Sequence, residues 1–97
     1  MLAQPLAFID IETTGLDRDL HEIIELAAVI TRMKGGELIV TDELNIKIQP
    51  KTIETAEPQA LRINGYNEAD WLFAIPLEDA MREFAKKTEG AIFVAHN

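Results

Sequence analysis

Between Leu6 and Glu12 the hydrophobic positions fill both parities of the chain: Leu6 and Phe8 run on to Asp10 and Glu12, and Ala7, Ile9 and Ile11 fall between them. A short apolar run rich in aromatic and β-branched residues predicts a buried strand. Thr13-Thr14-Gly15-Leu16-Asp17 supplies turn chemistry, and Glu22 to Arg32 is a second run of strand character, although Ala27 and Ala28 also allow a helix there. Gly35-Gly36 marks a hairpin. Beyond it, Glu37 to Gln49 holds two strand-like pieces. Leu44, Ile46 and Ile48 alternate with Asn45 and Lys47, the pattern of a half-exposed strand at or near a sheet edge, and Pro50 ends it.

The period then changes. Pro58 opens a short helix through Ile63, with Gly65 suited to its end. Pro76 to Lys87 is the clearest helix, with Leu77, Ala80, Met81, Phe84 and Ala85 on one stripe. Glu78 and Asp79 stand at its positive end and Lys86 and Lys87 at its negative end, with Gly90 at the exit. Ala91 to Ala95 reads as a buried strand. Three strands, helices and one more strand fit a mixed sheet with at least one helix packed on it, an α/β arrangement in one continuous unit.

Composition narrows the function classes. The chain has 97 residues, 47% hydrophobic and 27% charged, and no cysteine, which excludes disulfides, thiolate metal sites and cysteine nucleophiles. The apolar run at Leu6 to Ile9 is too short for a signal-peptide core or a membrane span, so a cytoplasmic protein without membrane contact is expected. The net charge of −8 opposes nucleic-acid binding by bulk phosphate neutralisation. A nucleic-acid ligand would require divalent cations, a local site, or basic residues outside this chain.

Asp10 and Glu12 lie two residues apart on the first strand, so both side chains leave the same face near its C-terminal end. Two adjacent carboxylates either share a proton or bind a cation, and hard oxygen ligands without a neighbouring His or Cys favour Mg²⁺ or Mn²⁺. A bare Asp-x-Glu is more often a pair of surface acids. Here, however, the pair extends an apolar strand.

In context, Phe8-Ile9-Asp10-Ile11-Glu12-Thr13-Thr14-Gly15-Leu16, followed by His21-Glu22-Ile23-Ile24-Glu25-Leu26-Ala27-Ala28-Val29, resembles the first motif and following strand of the DEDD (DnaQ-like) exonucleases. Ala95-His96-Asn97 resembles the start of their second motif. The resemblance implies an RNase H-like fold and 3′→5′ hydrolysis of DNA or RNA through two metal ions, roughly 3.5 to 4 Å apart, held by four acids. Asp10 and Glu12 match the first two acids, as catalytic residues and metal ligands. The other two acids, and a His or Tyr general base, are expected beyond Asn97. Residues 1–97 are thus expected to be the N-terminal part of a single exonuclease domain, inactive alone.

Under the same resemblance Thr13, Thr14, Gly15, Leu16 and Asn97 contact a single-stranded or 3′-terminal nucleic acid, Leu16 against the base. A polymerase partner or self-association stays open. Glu25 matches a family position and receives no catalytic role. His21 is expected in solvent, and His96 to orient its turn. Trp71 and Phe73 offer stacking surfaces for bases but fit better as the cover of a core edge, and Lys86 and Lys87 are explained as helix-end charges. The alternative is a non-catalytic RNase H-like module that binds a protein partner through the edge of its last strand.

Overall fold

The computed structural model describes residues 4–95. Strand β1 is Leu6–Thr13, β2 Ile23–Lys34, β3 Glu37–Lys47 and β4 Ile92–Ala95; helix α1 is Pro58–Ile63 and α2 Leu77–Lys87, with one 3₁₀ turn at Ile53–Thr55. The sheet order is β3-β2-β1-β4. β1 pairs antiparallel with β2, β2 antiparallel with β3, and β4 parallel with β1. The parallel step requires a crossover, and α2 lies within it. Among the described residues no helix is long and apolar enough to cross a membrane.

Gly35 and Gly36 hold φ of 59° and 83°, the two positive angles of a tight hairpin turn between strands of right-handed twist. β2 is a strand throughout, so the helical option left by Ala27 and Ala28 is not taken: Ala28 is buried between its strand neighbours Leu26 and Ile30. β3 is one strand where two pieces were expected, because its ladder to β2 absorbs an irregularity at Ile30/Thr31 and continues.

The main core joins Ala7 of β1, Leu26, Ala28 and Ile30 of β2, Ile48, and Ala80 and Phe84 of α2. Burying a side chain the size of Phe84 stabilises by about 2 kcal/mol, which anchors α2 on this face. Met81 and Ala85, expected on the buried stripe, are exposed: α2 touches the sheet along a line narrower than its apolar stripe. A second cluster, Ile24, Trp71 and Ala74 with Leu61 and Tyr66, ties the segment after β3 to the start of β2.

β4 corrects the expectation of a buried strand. It lies at the sheet edge, and Ile92, Phe93 and Val94 are 49%, 56% and 39% exposed. Among the described residues β1 is its one strand neighbour, and the Phe93 ring meets Phe84 edge-on at 5.4 Å between centroids. His96 and Asn97 lie outside the described residues.

Candidate functional site

On β1, Ala7 and Ile9 turn toward α2, so strand alternation sends Leu6, Phe8, Asp10 and Glu12 to the opposite face. Register places Asp10 across from Ala27, and Glu12 across from Glu25. Asp10 is exposed beside that small neighbour, while Glu12 is half-buried. The ladder slips at Glu12/Thr13, so Thr13 pairs with Ile23 instead of continuing the regular register. The slip lets Ile23 join the α2-side core while Ile24 joins the Trp71 cluster.

The acids press on one another. Partial burial, then the Asp10 charge, then the Glu25 charge hold the Glu12 carboxyl above its ordinary range. Glu25 has a cation of its own: Lys47 Nζ stands 3.5 Å from its Oε2 and 4.7 Å from the centroid of the Trp71 ring. Trp71 in turn donates its indole N–H to the Ile24 carbonyl at 3.0 Å. Among the described residues no ion pair reaches Asp10 or Glu12. Nor do three His, Cys, Asp or Glu side chains converge there as a ready metal cluster. The pair therefore amounts to two carboxylates without a cationic partner among the described residues.

The turn beyond the acids is tightly bonded. The Thr13 hydroxyl donates to the Gly15 carbonyl at 2.7 Å. Thr14 is fully buried; its hydroxyl accepts the Glu22 N–H at 2.9 Å, and its carbonyl accepts the Glu57 N–H at 2.8 Å. Its side chain thus faces the protein. Leu16, by contrast, is 96% exposed. Glu12, Leu16, Ile63 and Asn64 are among the walls of a cavity of about 410 Å³ between this turn and α1. A neighbouring hollow of about 580 Å³ includes Ile11, Ile23, Ile48 and Leu77, but neither Asp10 nor Glu12. The carboxylate in its lining, Glu22, already accepts the backbone N–H of Lys51 and of Thr52, so of the two hollows the smaller is the one that Glu12 reaches, while Asp10 lines neither.

Ile63 and Asn64 escaped the sequence reading. Asn64 donates its side-chain amide to the Thr13 carbonyl at 2.7 Å, across 51 positions of sequence. The helix was legible from Pro58 and Gly65, but its position beside Glu12 was not. His21 is also corrected. Rather than standing in solvent, its Nδ1 accepts the Asp17 N–H at 3.0 Å and its Nε2 faces the Thr55 carbonyl at 3.1 Å. A Cβ at Gly15 would collide with that ring, and this close approach is what the glycine permits. Trp71 is core, 6% exposed, whereas Phe73 is 88% exposed and covers little. Asn97, the remaining expected contact, lies outside the described residues.

Residues 7–97 match the family model described as exonuclease. The chain is 34% identical over 89 residues to the PolC-type DNA polymerase III of Thermotoga maritima, covering 92% of this chain and 6% of that protein. It is 34% identical over 100 residues to ribonuclease T of Yersinia enterocolitica, covering 92% of this chain and 46% of that one. The chain thus spans less than half the length of the relatives it matches. Among solved structures, exonuclease I from Methylocaldum szegediense superposes with a TM-score of 0.79 at 16% identity, over 98% of this chain and 21% of that one. The nuclease domain of 3′hExo, a DEDDh family member bound to rAMP, gives 0.69 at 19% identity, over 95% and 50%. These likenesses establish the RNase H-like fold. With paired acids on its first strand and the exonuclease model matched along nearly its whole length, the chain belongs to the exonuclease family.

Proposed function

We propose that residues 1–97 form the N-terminal portion of a 3′→5′ exonuclease domain acting on the 3′ end of DNA or RNA, in which Asp10 and Glu12 hold a divalent cation, Mg²⁺ or Mn²⁺. One observation carries this reading: Asp10 and Glu12, without an ion pair among the described residues, share a sheet face, and Glu12 lines a cavity that includes exposed Leu16. The donor set fits such an ion, being all oxygen and short of cationic partners. Bound there, divalent ions would supply Lewis-acid polarisation of a phosphoryl oxygen and a water nucleophile. The chain's own part is placement. β1 fixes the acids in register, the Thr13–Gly15 turn closes the cavity floor, and Leu16 and Ile63 offer apolar surface to a terminal base, with Thr13, Thr14 and Gly15 supporting them. Asn97 belongs to this set by its motif.

Names of similar proteins agree with a nucleic-acid substrate: one solved exonuclease I holds a dT13 oligonucleotide, and one 3′-exonuclease is described in recognition of a histone mRNA stem-loop. The PolC likeness supports a polymerase context as one option, and we place the protein in the cytoplasm. Further acids and a general base are assigned to sequence following this segment. The test is release of mononucleotides from a 3′-labelled oligonucleotide. This chain alone releases none in Mg²⁺ or Mn²⁺, and the polypeptide continued through its reading frame releases them until Asp10→Ala abolishes the activity. Undiminished activity in that variant would displace the site. The exposed edge of β4 favours a second reading, a non-catalytic module pairing there with a protein partner or with itself, and it would be supported by an inactive continued polypeptide.

A further inference from the structure

Three carboxylates, Asp10, Glu12 and Glu25, stand on one sheet face, and among the described residues only Glu25 has a cation. Directly opposed side chains on neighbouring strands have Cβ atoms roughly 5 Å apart, so an unrestrained Glu25 reaches the space in front of Glu12. It is restrained from the other side. Lys47 is Glu25's register partner on β3, and their ion pair at 3.5 Å is 34% and 18% exposed. The pairs Lys51–Glu78 and Arg82–Asp79, in contrast, keep every side chain more than half exposed. Lys47 is itself fixed by the Trp71 face, and Trp71 by its bond to Ile24 and its contact with Tyr66 at 4.9 Å.

We propose that Lys47 is a positioning residue that holds Glu25 toward β3 and keeps this third carboxylate out of the cation site of Asp10 and Glu12. The inference rests on the cation-binding reading of those two acids. With Lys47 in place this chain gives the site two carboxylates and leaves coordination positions for further ligands, substrate and water. Without it, Glu25 swings toward Glu12, adds a ligand and a negative charge, and tightens the ion while crowding those positions.

The test is a Mn²⁺ titration of the 97-residue chain, with free Mn²⁺ read by electron paramagnetic resonance. Lys47→Met keeps the aliphatic stem over Trp71 and removes the charge; affinity is expected to rise about three- to tenfold. Lys47→Arg stays near wild type. Lys47→Met combined with Glu25→Gln, which removes one charge of each sign, returns affinity to within about twofold of wild type. A merely structural lysine would give no gain, since a loosened site binds more weakly. Unchanged or weakened binding in Lys47→Met overturns the proposal, as does a double variant that keeps the full gain, which would show that Glu25 takes no part in the effect. If Lys47→Met loses the native circular dichroism, Lys47→Gln replaces it with the same expected gain. Wild-type binding that is insensitive to Asp10→Ala would instead refute the cation reading itself, and the Lys47 role with it.

Discussion

The side-chain amide of Asn64 is bonded to the backbone carbonyl of Thr13 at 2.7 Å, fastening the end of α1 to the turn that follows the two acids. Together with the Glu57 N–H on the Thr14 carbonyl, it sets the distance between Ile63 and Leu16 across the cavity. Asn64→Ala is expected to lower stability by about 1 kcal/mol, a fall in Tm of roughly 4 to 8 °C for a chain this size. Thermal unfolding followed by Trp71 emission measures it. An unchanged Tm would mean that the bond contributes nothing net.

Gly15 and His21 form a second pair. Gly15→Ala drives a methyl into the imidazole ring and is expected to cost about 2 kcal/mol or more. His21→Ala removes the obstacle along with the ring's contacts to Asp17 and Thr55. The double variant should therefore be less destabilised than the sum of the singles by at least about 1 kcal/mol. Denaturant unfolding of the four proteins supplies the cycle, and strict additivity would refute the steric account of this glycine.

Much of this was legible in local pattern. β1, the glycine hairpin and α2 follow from periodicity and end signals within a dozen residues, and the paired acids from a strand that carries them on one face. What escaped depends on separation. Asn64 meets Thr13 only because the α1 segment folds back onto β1, and Lys47 finds Glu25 only through the β2–β3 register. Exposure was misjudged for a related reason. The apolar character of Ile92, Phe93 and Val94 says that they suit a covered surface, not what covers it, and at the sheet edge β1 and Phe84 leave them substantially open.

The strain on Glu12 has a sign that can be checked. Its carboxyl is held above the ordinary range by burial, then by Asp10, then by Glu25. A carboxyl whose folded-state pKa exceeds its unfolded value favours folding while protonated, and that contribution is lost as pH rises through the folded value. Without metal, Glu12→Gln is therefore expected to raise Tm at pH 7, a gain that fades as the pH falls through the carboxylate range and the wild-type group becomes protonated in both states. Excess Mn²⁺ should raise the wild-type Tm and leave the variant's nearly unchanged. A variant less stable than wild type at pH 7 would show that the acid stabilises the fold rather than straining it.

Whether Asp10 and Glu12 hold a divalent ion is tested most directly by paramagnetic broadening in a ¹H–¹⁵N correlation spectrum of this chain titrated with sub-stoichiometric Mn²⁺. The expected result is selective loss of the amide signals of Asp10 to Thr14 and of their register partners Glu25 to Ala27, abolished in Asp10→Ala and reversed by excess Mg²⁺. Broadening centred elsewhere, for example on Glu37, Asp42 and Glu43 of β3, or spread evenly over the acidic surface, would contradict it.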